Sequence, residues 1–340
     1  MPDRVIGWGI VGCGWVARDY VAPGIAASPN GRLVAACDSS LAHVTAIAPA
    51  EAPVRTQDFA AFLRTPGLDA VYIATPNDSH RALTEAAAAA GKHVMCEKPM
   101  ATRYDDAVAM VTACARAGVQ YATAFDQRFQ ARHVLLRELV ASGALGTVTA
   151  VRIHYACWLP PDWTVDNWRV DPVRAGGGAF IDLAPHGLDL IQMVLGEPIV
   201  ELHVLLQRRV FEYPVDDGAV AIARLRSGTL ATMNVAYNCP EAYPRRTLEV
   251  LGTRAKVDAI DTMGQVAGGR LLVTTSGGVT TERAVSPEDD RSPFEASVTT
   301  FARCLLEGRP FPFSPEDDLR VARLLACSTR STHHSPQESA

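Results

Sequence analysis

A short apolar segment that runs directly into a glycine-rich turn constrains the fold of this chain more than any other feature. Residues 5–11 have the pattern of a strand, and residues 12–17, GCGWVA, follow it and open a helical stretch. In such a turn Gly12 permits the tight bend, Gly14 lets the backbone approach a ligand, and Ala17 lets helix and strand pack closely. The free N–H groups and positive dipole of the helix N-terminus attract phosphate. The segment therefore predicts a site for a dinucleotide pyrophosphate, with an ordinary glycine-rich turn as the alternative.

Strand and helix alternate through the first third of the chain. Further apolar strands are predicted at 33–37, 71–74, 94–96 and 119–124, and helices at 15–27, 41–48, 58–64, 79–90 and 103–116. Continuous apolar strands between helices are typical of a parallel sheet that is covered on both faces. We therefore expect residues 1–124 to form a doubly wound parallel sheet, the Rossmann architecture. Pro23 lies within the first helix and should kink or split it.

After about residue 125 the pattern changes. Strands with alternating apolar residues are predicted at 148–155, 199–211, 218–226, 229–238, 244–251, 255–260 and 270–274, and helices at 130–142, 178–195, 294–307 and from Pro315 onward. This pattern predicts an α+β domain with a large, mostly antiparallel open sheet over residues 125–330. The last helix is a candidate for packing back on the Rossmann domain. The polar residues 331–340 are predicted to form a disordered tail.

Composition narrows the classes of partner and compartment. The 340 residues carry a net charge of −5 with scattered Lys and Arg, which argues against binding of nucleic acid or an anionic membrane. Because we find no bilayer-length apolar stretch and no leader-like segment, we expect a cytoplasmic protein. The eight cysteines form no CxxC pair, so neither a disulfide framework nor a metal site is expected.

An acidic residue follows the second predicted strand. Asp38 lies 24 residues after Gly14, close to where a carboxylate commonly binds the ribose hydroxyls of NAD. A carboxylate there repels the 2′-phosphate of NADP, and Ser39 and Ser40 bring no positive charge to offset it. The sequence therefore predicts NAD, with NADP less favoured. Asp38 could also be a helix N-cap or a turn residue, and the two roles are compatible.

Two polar segments follow later strands, namely residues 74–80, ATPNDSH, and residues 96–99, CEKP. In an open α/β sheet, ligands bind at the carboxyl ends of the strands, so we expect both segments to lie near the cofactor. The alternatives are an ordinary loop with a helix cap for the first segment and a surface lysine for Lys98.

A third group lies on a predicted helix of the second domain. Asp182, His186 and Asp189 are spaced i, i+4 and i+7, which places them on one helix face among apolar neighbours. Burial of two carboxylates and an imidazole costs free energy unless these groups pair or take part in chemistry. The helix therefore predicts an acid/base site, with a structural Asp–His pair as the alternative.

These motifs and their order resemble the Gfo/Idh/MocA family, named after glucose-fructose oxidoreductase, inositol dehydrogenase and a rhizopine catabolism protein. The matching pieces, up to about residue 200, are Gly12-x-Gly14-x-x-Ala17, Ala74-Thr75-Pro76-Asn77-x-x-His80, Gly91-Lys92-His93-Val94 leading to Glu97-Lys98-Pro99, Arg128-Phe129, Gly143-x-x-Gly146, Trp168-Arg169, Gly176-Gly177-Gly178 and Asp182-x-x-x-His186-x-x-Asp189. Each motif is weak alone, but the combination is specific. One departure is Asp126, because family members often carry asparagine in this segment.

The resemblance implies that Lys98 lies between nicotinamide and substrate, that His186 is the general acid/base, and that Asp182 lies beside it. It also implies that the Lys98–Pro99 bond is cis. The residues expected to bind the cofactor are Gly12, Cys13, Gly14, Trp15, Val16, Asp38, Ser39, Thr75, Pro76, Asn77, His80, Glu97, Lys98, Asp126, Trp168 and Arg169. Those expected to bind the substrate are Lys98, Arg128, Trp158, Trp168, Asp182 and His186, with Trp158 suited to a sugar ring.

These residues suit transfer of a hydride between NAD and a secondary alcohol or ketone of a sugar, inositol or related polyol. An imidazole can accept the alcohol proton, and a lysine ammonium can stabilise the developing alkoxide, so no metal is needed. Two alternatives stay open: an NAD-dependent glycosidase or epimerase that oxidises a sugar transiently and, less favoured, a cofactor-binding regulator without catalysis. The resemblance also implies a homodimer or homotetramer that pairs through the C-terminal sheet.

Overall fold

The computed structural model describes residues 4–47, 54–164 and 166–331. The chain divides into two compact units: the first comprises the chain up to Phe129 together with Arg291–Leu319, and the second comprises Gln130–Asp290 together with the chain from Arg320. The domain boundaries expected from the sequence, 1–124 and 125–330, stay a prediction. The predicted tail, 331–340, lies outside the described residues except for Ser331.

The first unit contains a six-stranded parallel sheet in the order β3-β2-β1-β4-β5-β6. Its strands are β1 Ile6–Val11, β2 Gly31–Cys37, β3 Val54–Thr56, β4 Ala70–Ile73, β5 His93–Cys96 and β6 Tyr121–Thr123. The three residues of β3 are too few to show a pattern, and this strand was not predicted. The strand order reverses between β1 and β4, which is where open α/β sheets bind ligands. The predicted Rossmann architecture is confirmed.

The first helical segment shows how the chain accommodates a proline. A π-helical stretch, Ala17–Val21, leads into α1, Ala22–Ala27, which has Pro23 in its first turn. Proline has no N–H to donate, and its ring would clash with the carbonyl four residues earlier in a regular α-helix. The wider turn before Pro23 relieves that clash. The chain stays helical through residues 15–27, so Pro23 distorts the predicted helix without splitting it.

The remaining helices of the first unit cover its sheet. They are α2 Leu41–Ala46, α3 Phe59–Leu63, α4 His80–Ala89, α5 Tyr104–Ala117 and α9 Pro293–Glu307. Helix α9 returns from late in the chain to pack on β1, where the rings of Trp8 and Phe301 lie 5.6 Å apart. Trp8 is fully buried at the centre of this core. The last helix, α10 Pro315–Ser331, begins in the first unit.

The second unit contains an eight-stranded sheet in the order β14-β13-β12-β11-β7-β10-β9-β8. Its strands are β7 Val148–Ala156, β8 Ile199–Gln207, β9 Gly218–Leu225, β10 Leu230–Ala236, β11 Arg246–Gly252, β12 Ala255–Ile260, β13 Arg270–Thr275 and β14 Thr280–Glu282. All pairings are antiparallel except that of β7 with β10. This confirms the predicted mostly antiparallel open sheet, although the short β14 was not predicted.

One face of this sheet packs against a buried helix. The helices of the second unit are α6 Ala131–Ala141, α7 Pro172–Ala175 and α8 Ala179–Leu195. Gly187 of α8 lies against Met233 of β10, and a side chain at position 187 would overlap the methionine sulfur.

Within the described ranges, no helix is both long and apolar enough to cross a membrane.

Candidate active site

The glycine turn lies at the carboxyl end of β1. Gly12 has φ +84°, and a Cβ there would lie 2.6 Å from the Ala74 carbonyl group, so only glycine fits. A Cβ on Gly14 would meet no atom within 4 Å. Gly14 therefore faces open space at the start of a helical segment, where a bound phosphate can approach the backbone. This turn fits a dinucleotide pyrophosphate.

Asp38 is fixed beside the glycine turn. Its Oδ2 accepts a hydrogen bond of 2.7 Å from the Cys13 N–H, and its Oδ1 accepts one of 2.8 Å from the Ser40 N–H. Ser40, not Asp38, caps α2, so the N-cap alternative for Asp38 is wrong, although its role in the turn is observed. A carboxylate oxygen can accept more than one hydrogen bond, so Asp38 retains capacity for ribose hydroxyls. Burial, reinforced by Asp38, raises the pKa of Cys13 to about 12, so this thiol stays neutral.

His80 joins the two polar segments that follow β4 and β5. Its Nδ1 lies 3.1 Å from the carbonyl oxygens of Pro99 and Met100, and its Nε2 lies 3.0 Å from that of Thr75. The ring is fully buried, and this burial lowers the pKa of His80, while its contacts with the backbone carbonyl groups act in the opposite direction. The Lys98–Pro99 bond is cis, as expected. His80 thus holds the loop that carries Lys98 against the Thr75 loop.

The predicted polar residues after β5 and β6 form a cluster of ionisable groups. The Tyr72 hydroxyl donates to Glu97 Oε1 at 2.7 Å, and the Lys98 N–H donates to Glu97 Oε2 at 3.2 Å. Asp126 is only 4% exposed and accepts a 2.8 Å hydrogen bond from the Gln127 amide. Burial raises the pKa of Asp126 to about 7; the charge of Glu97 also raises this pKa, whereas Lys98 lowers it. These residues lie together in the first unit.

Arg128 lies within the packing of the first unit. It is 3% exposed and forms a 2.7 Å ion pair with Asp318, in the first turn of α10. Its guanidinium group lies between two aromatic rings, 4.6 Å from the centre of Phe125 and 4.5 Å from that of Phe313. Asp318 also accepts a hydrogen bond from the Thr123 N–H. This geometry favours a structural role for Arg128, while its predicted contact with substrate stays a prediction.

We expect the substitution Arg128→Met to lower the free energy of unfolding by about 3–5 kcal/mol, because it leaves the Asp318 carboxylate buried without its cation. Urea denaturation of wild type and variant measures this difference. The matched control is Arg81→Met, which removes exposed ion pairs with Glu85 and Asp106. Exposed pairs contribute about 0–1 kcal/mol. Equal losses in the two variants would contradict the assignment.

The second unit carries the predicted acid/base group on α8. Asp182 accepts a 2.9 Å hydrogen bond from the Tyr237 hydroxyl. His186 lies one helical turn further on, is 6% exposed, and meets the Tyr155 ring edge to face at 5.5 Å. Asp189 follows His186 by three residues on the same helix and is also buried. Burial and the charge of Asp182 raise the pKa of Tyr237 well above its usual value, so its hydroxyl stays a donor.

Residues that the sequence reasoning missed hold α8 in place. Helix α8 begins after Gly178, which has no capping side chain. The Asp216 carboxylate accepts 2.8 Å hydrogen bonds from the N–H groups of Gly178 and Phe180 and caps the helix from a distant segment. The neighbouring pair of acidic residues at 216 and 217, directly before β9, was the only signal for this role. Tyr237 offered no signal, because its partner lies 55 positions away.

The second unit also carries exposed or partly exposed aromatic side chains. Trp158 forms an isolated β-bridge with Asn238, the residue after Tyr237, and its side chain is 40% exposed. Phe211 supports the Trp158 ring from one side, with ring centres 5.3 Å apart. Elsewhere in this unit, the Arg169 guanidinium lies 4.5 Å from the centre of the Trp168 ring.

The structure therefore divides the predicted site residues between two units. Lys98 lies in the first unit with the glycine turn, Asp38, Thr75 and Asp126, whereas Asp182 and His186 lie in the second with Trp158, Trp168 and Arg169. The roles predicted for these residues stay predictions. In the described part of the chain, no group of three or more His, Cys, Asp and Glu side chains could hold a metal ion.

Two family models match the chain in sequence. A model described as an oxidoreductase family with an NAD-binding Rossmann fold matches residues 6–125, and a model of the GFO/IDH/MocA C-terminal domain matches residues 133–258. These matches confirm the predicted family, NAD as the cofactor, and an oxidoreductase as the class of enzyme.

Comparison with individual proteins agrees over nearly the whole length. A 1,5-anhydro-D-fructose reductase of Ensifer adhaerens is 30% identical over 92% of this chain and 91% of that protein. A myo-inositol 2-dehydrogenase of Thermotoga maritima is 27% identical over 79% of each chain. The structure of an aldose-aldose oxidoreductase from Caulobacter crescentus, complexed with glycerol, superposes with a TM-score of 0.85 at 28% identity, covering 96% of this chain and 97% of that one. This protein therefore belongs to the GFO/IDH/MocA family of oxidoreductases with an NAD-binding Rossmann fold.

Proposed function

We propose that this protein is an NAD-dependent dehydrogenase or reductase that acts on a secondary alcohol or ketone of a sugar, inositol or related polyol. The observation that carries the proposal is the acid/base group on α8, where Tyr237 holds Asp182 one turn before the buried His186. The names of the relatives, a sugar-derivative reductase and an inositol dehydrogenase, support the substrate class.

We propose that three residues carry the chemistry. When bound at this site, NAD would supply the acceptor or donor of the hydride. The Lys98 ammonium group stabilises negative charge on the reacting substrate oxygen, and the His186 imidazole takes the proton in oxidation and returns it in reduction. Asp182 stabilises the protonated imidazole, because a fixed carboxylate lowers the free energy of a nearby positive charge. Tyr237 keeps Asp182 in one orientation, since the hydroxyl stays protonated.

The cofactor contacts are likewise a proposal. The open space at Gly14 and the fixed carboxylate of Asp38 support binding of the pyrophosphate and the ribose, with NAD preferred over NADP. We assign the remaining contacts to Cys13, Trp15, Val16, Ser39, Thr75, Pro76, Asn77, Glu97, Asp126, Trp168 and Arg169. We assign His80 an indirect role, because its ring contacts the carbonyl groups of the two loops that carry Thr75 and Lys98 and so positions both loops.

The exposed side chain of Trp158 supports binding of a sugar ring. Its aromatic face offers an apolar surface, and Phe211 fixes the orientation of that surface. Trp158 forms a β-bridge with Asn238, the residue after Tyr237, within the second unit. We therefore assign Trp158 to the substrate, together with Trp168, His186 and Asp182.

Absorbance of reduced nicotinamide tests the proposal. The purified protein is mixed with sugars, inositols and sugar acids, with NAD and NADP added separately. Reduction of NAD by one of these substrates supports the proposal. Product formation that needs no added NAD and yields no net NADH would replace it by a glycosidase or epimerase that oxidises its substrate transiently. Binding of NADH without any turnover would favour a regulator.

We further propose that the outer face of the large sheet pairs with a second copy of this chain. Leu205, Val220, Ile222 and Leu230 share that face across β8, β9 and β10, and each is 46–78% exposed. Contiguous exposed apolar side chains are typical of association surfaces. We expect light scattering to give the mass of a dimer or tetramer, and the double variant Leu205→Glu/Ile222→Glu to give a smaller mass. A monomeric wild type would contradict this.

A further inference from the structure

The buried carboxyl group of Asp126 lies at the same edge of the first unit's sheet as Lys98. Strands β5 and β6 are parallel neighbours, with Cys96 opposite Thr123, and the Ala124 N–H donates to the Cys96 carbonyl at 2.7 Å. Lys98 follows the end of β5 by two residues, and Asp126 follows the end of β6 by three. The two side chains therefore start from the same edge of the sheet, the edge at which a cofactor binds.

The position of Asp126 is fixed by its neighbours. Its Oδ2 accepts from the Gln127 amide, and the next residue, Arg128, is locked by Asp318 and by two aromatic rings. The short helical turn of residues 126–129 thus leaves Asp126 little freedom to turn towards water. A charge on this carboxyl group interacts strongly with neighbouring charges, because burial lowers the effective dielectric constant.

The cluster holds more acidic groups than cations. Glu97 and Asp126 bring two carboxyl groups, whereas Lys98 brings one ammonium group, and the electrostatic influence of both Glu97 and Lys98 reaches Asp126. Burial is the main reason that the pKa of Asp126 is raised to about 7. At neutral pH this carboxyl group therefore exists both with and without its proton.

The two redox forms of the cofactor differ by one positive charge, which the nicotinamide ring carries only when oxidised. We propose that Asp126 makes the preference of the protein for NAD⁺ over NADH depend on whether this carboxyl group carries a proton, its carboxylate favouring NAD⁺. The inference rests on the cofactor site of the proposed function. It deepens that function, because the redox form of the cofactor that the protein binds more tightly then depends on pH.

The sign of the effect follows from charge. Raising the pH removes the proton from Asp126 and leaves a negative charge that attracts the oxidised ring. Affinity for NAD⁺ should therefore rise between pH 6 and 8, while affinity for NADH should change less. By linkage, NAD⁺ binding near pH 7 should release protons into solution.

Other charged or titratable groups lie around Asp126 and on the elements that pack against it. They are Tyr72 of β4, Glu97 and Lys98 after β5, Arg128 with Asp318, and Glu295, Arg303 and Glu307 of α9, which packs on this turn. Burial lowers the pKa of the nearby His80. The variant Asp126→Asn separates titration of Asp126 from that of all these groups.

Binding measurements on the whole protein test the inference without turnover. Dissociation constants of NAD⁺ and NADH are measured at pH 6, 7 and 8 by calorimetry and by NADH fluorescence. We expect the ratio of the NAD⁺ constant to the NADH constant to fall about fivefold over this range, because a pKa that falls from about 7 to about 6 on binding of NAD⁺ gives its full tenfold effect only over a wider pH range. In Asp126→Asn, which keeps the shape and removes the titration, the ratio should stay constant. Glu85→Gln, which removes one exposed negative charge from α4, should behave as wild type.

The possible outcomes separate the two proposals. A pH-independent ratio in wild type, or the same pH dependence in Asp126→Asn, overturns the inference alone. If Asp126→Asn does not fold, proton release by wild type decides: release on binding of NAD⁺ but not of NADH at pH 7 supports the inference, and equal release overturns it. Failure to bind either cofactor at any pH overturns the proposed function as well.

Discussion

Replacement of Lys98 by alanine is expected to lower kcat/KM by about 10²–10³-fold, or about 2.7–4 kcal/mol, the loss typical of removing one group that stabilises an oxyanion. The ammonium group is needed where negative charge develops on the reacting oxygen. The loop that carries Lys98 is held by the Glu97 and His80 contacts, which the substitution leaves in place. The loss should therefore appear mainly in kcat, as measured by steady-state kinetics with the substrate found in the panel.

The matched control is Lys92→Ala. Lys92 lies just before β5, at the opposite end of the strand from Lys98, and donates to the Leu68 carbonyl at 2.9 Å. Its replacement removes the same charge from the same unit but should change kcat/KM less than about threefold. Lys98→Ala should still bind NADH. Near-normal turnover in folded Lys98→Ala would remove this residue from the mechanism.

Replacement of His186 by asparagine is expected to lower kcat by about 10²–10⁴-fold, the contribution typical of a general acid/base. Asparagine fits the buried position beside Tyr155 but cannot exchange a proton near neutral pH. Because Asp126 also titrates near pH 7, the measure is the ratio of kcat values at one fixed pH and not the pH profile.

A second variant separates catalysis from packing. Tyr237→Phe keeps the ring and removes the hydroxyl that donates to Asp182, so we expect a smaller loss, about tenfold in kcat. His154→Asn changes a histidine of β7 on the opposite face of the strand from Tyr155 and should leave kcat nearly unchanged. Equal losses in His186→Asn and His154→Asn would indicate a general effect on stability instead of a missing proton carrier.

Local patterns determined much of the architecture and of the candidate site. The glycine turn after β1, the alternation of strand and helix, and the change to period-2 strands predicted both sheets, because each pattern depends on residues close together in sequence. The spacing of Asp182, His186 and Asp189 placed them on one helix face for the same reason. Asp38 was found because it directly follows a predicted strand, and Lys98 because it lies two residues after another, just before a proline.

Only the tertiary structure decided which distant side chains meet. Tyr237 binds Asp182 across 55 positions, Asp216 caps α8 across 38, and Arg128 pairs with Asp318 across 190. No periodicity or motif in the sequence indicates such pairs, because they depend on how separate strands and helices are brought together. Burial of Asp126 is decided in the same way. A carboxyl group that looks ordinary in the sequence titrates near pH 7 only because the fold removes water from it and places Glu97 nearby.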